Sequence, residues 1–419
     1  MIKKLINILE SKKIDGYFIE EVDRETYQLY FVKENVETVR SGSFKDIAVT
    51  VFVKHDGKLG DAKVNVSPSS SSEEISEVID NAITNAMNVY NEPYELVKDE
   101  KCEFKGTNKS LKEMAEDIRD AIFSVKGSNG SKLNATEIFV NKINRHVLNS
   151  NGLDKKEIKY HCMIEAIPTF DKKDSSVEIY AQKNFSDFTK EEISTYIKEK
   201  LYEVEARANA KKLELDKVLD VTIRAEELSE VLDEYSWQLG YSTLYSHSNI
   251  INLGDVIQKG SGDKLTITMK NKVSGCSNSV EFDSEGSSFK ETEIIKDGKA
   301  VNVYGGNRFA QYLSKPNTGN LPINVVKTGT LSKDDLKNKT YLECLQFSGI
   351  QCDILNDYIG GEVRLAILHK DGLEIPVCGF SIAGKLSSVI NEIKLSKDKD
   401  TLPYYSGPSF ALLKDLQIL

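Results

Sequence analysis

One tryptophan, eight prolines, five histidines and six cysteines are all that 419 residues hold of these types, and each shortage closes off a class of protein. The cysteines (Cys102, Cys162, Cys276, Cys344, Cys352 and Cys378) contain no C-x-x-C pair, so neither a zinc ribbon nor a dithiol redox motif can be read from them. A chain of this size needs no disulfide framework, and a reducing cytoplasm is the expected setting. No apolar run approaches the roughly eighteen residues that a membrane-spanning helix needs. At the N-terminus Asn7 and Glu10 interrupt what would have to be the apolar stretch of a signal peptide, so we expect an amphipathic first helix there and no membrane partner. Positive charge is also short. The formal net charge is −10, and no basic stripe interleaved with aromatics stands out to overcome it, which argues against nucleic acid as a partner. Gly305-Gly306 and Gly360-Gly361 match neither a P-loop nor a dinucleotide fingerprint, and there is no G-x-S-x-G elbow.

What the chain does have is ordinary globular composition, 40% hydrophobic and 29% charged, with length enough for two or three cores. Residues 26–66 read as β-structure around Ile47, Val49, Val51 and Val53, with a hairpin turn at Asp56-Gly57; the same turn signal recurs at Asp297-Gly298 and Asp371-Gly372. Ser71 with Glu74 and Thr189 with Glu192 are capping boxes. The first opens an amphipathic helix through Ile75, Ile79, Ala82 and Ala86, the second a long helix through Ile193, Ile197, Leu201 and Val204. A helix through Leu111, Ala115, Ile118 and Ile122 lies between them. Strands are expected at residues 137–141, 157–167 and 177–181, with Asn149-Ser150-Asn151-Gly152 as a turn. Past residue 218 comes one helix, at 225–238, and then alternating apolar residues among Gly, Ser and Thr. The expected fold class is therefore α+β: an N-terminal α/β domain over residues 1–215, with amphipathic helices on a sheet, and a C-terminal mainly-β domain over residues 216–419.

Several motifs in a fixed order carry a family resemblance. They are Val39-Arg40-Ser41-Gly42, the turn at Asn149 to Gly152, Phe282-Asp283-Ser284-Glu285-Gly286, Lys296-Asp297-Gly298-Lys299, Asn307-Arg308, Thr318-Gly319-Asn320, residues 379–384, and Ser406-Gly407-Pro408-Ser409-Phe410. Together they resemble the TldD/PmbA family, long called modulators of DNA gyrase and classed with metallopeptidases. The resemblance implies pairing with a related subunit, and in the family's catalytic branch a helix bearing H-E-x-x-x-H, whose two imidazoles hold zinc while the glutamate is general base and a late cysteine adds a ligand.

Matched to that motif, this sequence places Asp233, Glu234 and Gln238 at the H, E and second H positions. The resemblance is thus to the non-catalytic PmbA/TldE-like branch. Carboxylate and amide oxygens are poor replacements for imidazole at a tetrahedral zinc site; residues 398–405 hold no cysteine, and Cys378 lies well upstream. The expectation is no metal and no cofactor here, with zinc only in a catalytic sister subunit. Glu234 keeps the position of the base, although a solvated helix carboxylate is its plainer reading. Trp237 is expected to anchor a core or a subunit contact. His55 and His369 flank Asp-Gly turns and are expected to be exposed, His161 and Cys162 point to opposite faces of a strand, and His247 reads as polar loop filler. Arg308, Thr318, Gly319 and Asn320 are candidate peptide-groove residues, because a guanidinium can hold a carboxylate and a turn can offer backbone hydrogen bonds; loop architecture is the plainer alternative.

The expected function is a non-catalytic subunit of a TldD/TldE-like protease complex, inactive alone, that binds or positions unfolded peptide for a zinc-bearing partner. The alternative is a free-standing homodimer that binds peptide or another ligand without proteolysis. A third possibility, a hydrolase holding a metal with Asp233, Glu234 and His247, carries little weight.

Overall fold

The computed structural model describes residues 1–98, 100–104, 106, 108–128, 130–173, 175–213 and 218–419. The expected boundary between residues 215 and 216 lies outside these. The fold is α+β, as the patterns imply. Among the described residues no helix is long and apolar enough to cross a membrane.

Alternation along the first strands decides the layering of the N-terminal region. Strands β1 (Gly16–Val32), β2 (Asn35–His55) and β3 (Lys58–Asn65) form an antiparallel meander. After β4 (Lys101–Phe104) comes the hairpin of β5 (Ser131–Asn149) and β6 (Asp154–Asp171). The sheet order is β3-β2-β1-β5-β6-β4, and β7 (Ser176–Glu178) and β8 (Ala181–Phe185) also pair with β6. The turn between β2 and β3 has Asp56 at φ 47° and Gly57 at φ 72°, the two positive dihedrals a tight hairpin of this hand requires; Asp297-Gly298 and Asp371-Gly372 repeat them.

In β1 the odd-numbered residues Tyr17, Ile19, Leu29 and Phe31 are buried, and all four N-terminal helices cover that face. Helices α1 (Ile2–Ser11) and α2 (Ser72–Ala86) pack on Ile19, Ile47, Val49 and Val51. Helices α3 (Leu111–Phe123) and α4 (Lys190–Asn209) pack on Leu29, Ile138, Val140 and Ile164. Each such aliphatic side chain contributes about 1.5–3 kcal/mol of burial. Both capping boxes form: Glu74 N–H donates to Ser71 Oγ at 3.1 Å and Glu192 N–H to Thr189 Oγ1 at 3.2 Å.

The strands run longer than the sequence suggests. β1 begins at Gly16 and not near residue 26, and residues 137–141 are only the middle of β5. The sheet's second face mixes polar side chains with apolar ones such as Ile143 and Phe139, which breaks the apolar signal. His55 and His369 also differ from expectation. The His55 side chain is 6% exposed, with Nε2 2.9 Å from the Val89 carbonyl. His369 stacks on Tyr341 at 4.3 Å and reaches Glu343 at 2.9 Å.

The C-terminal region forms two further sheets. One contains β9 (Lys211–Lys212), β10 (Val218–Arg224), β15 (Tyr341–Asp353), β16 (Tyr358–Lys370), β17 (Leu373–Cys378), β18 (Phe380–Gly384) and β22 (Phe410–Ile418), with β19 (Lys394–Leu395) on β22. Its order is β15-β10-β22-β18-β16-β17-β9, and because β15 also pairs with β16 the first five strands close into a barrel-like ring. The other has the order β13-β12-β11-β14-β21-β20, from β11 (Ile267–Lys270), β12 (Thr292–Lys296), β13 (Lys299–Ala300), β14 (Ile323–Val326), β20 (Lys399–Leu402) and β21 (Tyr405–Pro408). The helices here are α5 (Ala225–Gln238), α6 (Tyr241–Tyr245), α7 (Asn307–Tyr312) and α8 (Leu386–Glu392). Helix α5 touches both sheets, through β10, β15 and β22 on one side and β14, β20 and β21 on the other.

Candidate functional site

Helix α5 follows from its apolar spacing. Leu228, Val231, Leu232 and Tyr235 make its buried stripe, and Glu226 and Glu227 in the first turn suit the positive end of the helix dipole. Asp233, Glu234 and Trp237 fall outside that stripe. Trp237 is 52% exposed, which rules out a core role and leaves a surface one.

Asp233 and Gln238 are five residues apart, about 140° around the helix, and they meet different surroundings. Asp233 keeps an exposed edge, yet its Oδ1 accepts a hydrogen bond from Asn324 Nδ2 on β14. Asn324 Oδ1 in turn accepts from Ser236 Oγ at 2.7 Å, so a polar chain ties α5 to the sheet. Desolvation by the packed neighbours pushes the Asp233 pKa up to about 6; the Asn324 bond opposes this, and Glu230 and Glu234 reinforce it. Gln238 is fully buried, its Oε1 accepting the Ile250 N–H at 2.6 Å, while its Nε2 has no partner among the described residues. Glu234 is partly buried and its pKa is raised by desolvation, then by Asp353. Among the described residues no three His, Cys, Asp or Glu side chains group as metal ligands would. His247 is exposed on a turn at φ 54°, and Cys378 is half-buried at the end of β17.

Arg308, Thr318, Gly319 and Asn320 do come together. Thr318 Oγ1 accepts the Gly305 N–H at 2.9 Å and Asn320 Oδ1 accepts the Gly306 N–H at 2.9 Å, which fixes the start of α7. Gly319 sits at φ 72°, where an added Cβ would lie 2.6 Å from the Phe289 ring; both conditions demand glycine. On α7 the Arg308 guanidinium lies over Tyr94, Phe309 and Tyr312 at 5.5, 5.7 and 5.6 Å, and Nε donates to Tyr312 Oη at 3.1 Å. Its backbone N–H reaches both Glu285 oxygens at 3.3 Å. Burial, followed by Asp283, pushes the Glu285 pKa up to about 7. A cavity of about 170 Å³, lined by Phe52, Asp61, Tyr94, Glu285 and Asn307, opens beside this cluster. The neighbouring segment of the N-terminal region is held to α7 by Asn307 Nδ2 to the Glu95 carbonyl at 2.7 Å and Tyr312 Oη to the Glu92 carbonyl at 2.6 Å. The two groups of candidates are linked just past α5, where Tyr241 N–H donates to the Tyr304 carbonyl at 2.8 Å, Tyr304 N–H donates to the Leu239 carbonyl at 3.1 Å and Tyr241 Oη donates to the Pro316 carbonyl at 2.9 Å.

Residues 217–418 match the model of the PmbA/TldA metallopeptidase C-terminal domain. The C-terminal half of the chain is thus a PmbA/TldD-family domain. Solved structures with the same fold extend the likeness over the whole length. TldE from Thermococcus kodakarensis is 16% identical, with a TM-score of 0.79 over 100% of this chain and 99% of its own. A protein described as a candidate modulator of a DNA gyrase from Thermotoga maritima is 14% identical, with a TM-score of 0.76 over 100% and 99%. A similarly described protein from Bacteroides thetaiotaomicron is 15% identical, with a TM-score of 0.78 over 99% and 97%. No curated protein matches this chain by sequence.

Sequence reasoning missed two features of this chain. One is a cleft of about 860 Å³ between α4 and the C-terminal sheets, lined by Tyr196, Arg224, Glu226, Glu343 and Ser409 among others. Beside it the fully buried Glu203 pairs with Lys200 at 2.9 Å and Arg224 at 2.6 Å. A glutamate next to the apolar stripe of α4 gives no local sign of burial. The other is the second face of the N-terminal sheet.

Proposed function

We propose that this chain is the non-catalytic subunit of a cytoplasmic TldD/TldE-like metalloprotease complex, that it binds no zinc, and that it helps hold unfolded peptide for a related subunit bearing the intact motif. The observation that carries this reading is the engagement of the motif positions. Asp233 is spent on Asn324 and Gln238 on the Ile250 amide, on different sides of α5. A zinc site needs three or four donors turned toward one point, preferably imidazole or thiolate, and these oxygens meet neither condition. Without zinc to activate a water molecule, what these residues offer is binding. Arg308 supports that role: its guanidinium carries five N–H donors, and only Nε has a hydrogen-bond partner among the described residues. The turn at Thr318 to Asn320 acts by holding α7, and so Arg308, in place.

Metal analysis of the purified chain should find less than stoichiometric zinc, and a peptidase assay should find no hydrolysis by the chain alone and hydrolysis when a zinc-bearing sister subunit is added. Stoichiometric transition metal together with hydrolysis by the lone chain would overturn the proposal. The half-exposed Trp237 on the outer side of α5 favours a subunit contact there. Peptide binding that proceeds in a homodimer, with no sister subunit to activate, would shift the reading to a free-standing binding protein.

A further inference from the structure

The second face of the N-terminal sheet is built by register. In antiparallel strands, directly opposed residues stand on the same side. One row across β2, β1, β5 and β6 therefore runs Phe44, Arg24, Ile143, Lys159, and the next runs Gly42, Thr26, Asn141, His161. This is the side away from α1 to α4. At its lower end the C-terminal region closes over it, where Arg145 donates to the carbonyls of Phe282 at 3.2 Å and Asp283 at 3.1 Å. Above that row the side chains are half-buried by their own neighbours.

Arg24 and Lys159 flank Ile143 on strands two apart, about 10 Å between backbones, close enough for two long side chains to converge on one small anion. Among the described residues neither makes an ion pair. Arg24 lies over the Phe44 ring at 5.2 Å, and its Nε is buried without a hydrogen-bond partner. The adjoining row, Asp46, Val22, Arg145 and Glu157, holds two carboxylates: Glu157 is already engaged by Arg145 at 3.4 Å and by the Glu281 N–H at 2.7 Å, while Asp46 stands exposed at the β2 end and pairs with neither Arg24 nor Lys159. Burial lowers the Lys159 pKa; Glu157 opposes this, and Arg145 and Arg24 add repulsion. Burial also lowers the His161 pKa, against its 3.1 Å bond to Asn184, with Lys159 and Arg24 again repelling. A chain of net charge −10 thus gathers on one patch a histidine and two cations that have no ion-pair partner among the described residues.

We propose that Arg24 and Lys159, with His161 and Asn141 beside them, form a carboxylate-binding site for an acidic side chain or the C-terminus of a bound peptide. This rests on the peptide-binding reading above. The surroundings suit a carboxylate carried on an apolar chain. Ile143 lies between the two cations, and Phe139 and Met163 stand opposed further along the same face, with Tyr30 edge-on to Phe139 at 5.8 Å. β1 and β5 are paired on both sides, so they present no nest of free N–H groups of the kind phosphate sites use. One guanidinium and one ammonium are the ordinary partners of a carboxylate.

The test is fluorescence anisotropy at low salt with a labelled ten-residue peptide bearing one Glu, compared with its Gln counterpart, each as free acid and as C-terminal amide. The wild-type chain should lose about tenfold in affinity when the relevant carboxylate is removed, and the four peptides tell which carboxylate that is. Arg24→Gln and Lys159→Gln should each lose a similar factor and become indifferent to the carboxylate, while Lys159→Arg retains most of the binding. Equal affinity of wild type for acidic and neutral peptides would overturn the site. If no peptide binds, the peptide-binding reading fails, and the anion site is judged separately by acetate titration followed on the His161 ring by NMR. A saturable shift present in wild type and absent in Lys159→Gln supports it; no shift overturns it. Inorganic phosphate binding far more tightly than acetate would overturn the assignment to a carboxylate.

Discussion

Helices α3 and α5 both lie against sheets, but they bury different chemistry. The buried face of α3 is hydrocarbon and thioether throughout: Met114, Ala115, Ile118, Ala121 and Ile122. The buried surface of α5 adds Ser236 and Gln238 to Leu228, Val231, Leu232 and Tyr235, and Glu227 in its first turn has a buried Oε2 without a partner among the described residues. A helix that only covers a sheet gains most from close-packed aliphatic side chains. A helix crossed by a polar network gains less from burial and becomes sensitive to pH, since each buried carboxyl is costly when ionised.

The largest effect should come from the hydrocarbon side of the contrast. Ile118→Ala on α3 is expected to cost about 2–5 kcal/mol of unfolding free energy, through lost burial and the cavity left behind. Urea denaturation measures this directly, and a loss below about 1 kcal/mol would show that the α3 layer is not the close-packed one.

Next comes Glu227, where the sign reverses. Desolvation, followed by Glu226, raises its pKa to about 7. Between the unfolded value near 4.5 and the folded value near 7 the native chain holds a proton that the unfolded chain has released, so this contribution to stability falls as pH rises through that window. Glu227→Gln should remove the slope and raise stability above pH 7 by at most about 3 kcal/mol. A variant whose stability between pH 4.5 and 7 parallels that of the wild type would refute this.

The smallest effect is expected at Ser236. Removing its hydroxyl deletes one bond of the Asp233–Asn324–Ser236 chain, and Ser236→Ala should cost about 1 kcal/mol in the same urea experiment. A neutral outcome would mean that the polar chain is not holding α5 to β14.

Much of the fold was readable in advance where the deciding interactions are local. The bounds of α5 agree with its apolar spacing, both capping boxes form, and all three Asp-Gly turns take positive φ. Strand lengths were underestimated because the middle of β1, Asp23 to Gln28, buries no side chain fully and has Tyr27 as its one aromatic among polar residues, so the apolar signal that marks a strand lapses there. His55 was misjudged for a related reason. Its hairpin position suggests exposure, but a segment more than thirty residues later folds over it and supplies the Val89 carbonyl. At the candidate site, the oxygen-bearing side chains of Asp233 and Gln238 are visible in the sequence, whereas their engagement by Asn324 and the Ile250 amide is not.

The sequence by itself determined helices α1 to α5 and the three Asp-Gly turns, because periodicity, capping and turn dihedrals depend on residues within a few positions of one another. Tertiary structure alone decided which distant residues share a surface. Arg24 and Lys159 lie far apart in the chain and are unremarkable in isolation; strand pairing sets them on either side of Ile143, neither with an ion-pair partner among the described residues. Register is a collective property of whole strands, fixed when one face of the sheet must be buried, and the opposite face inherits whatever neighbours that choice imposes.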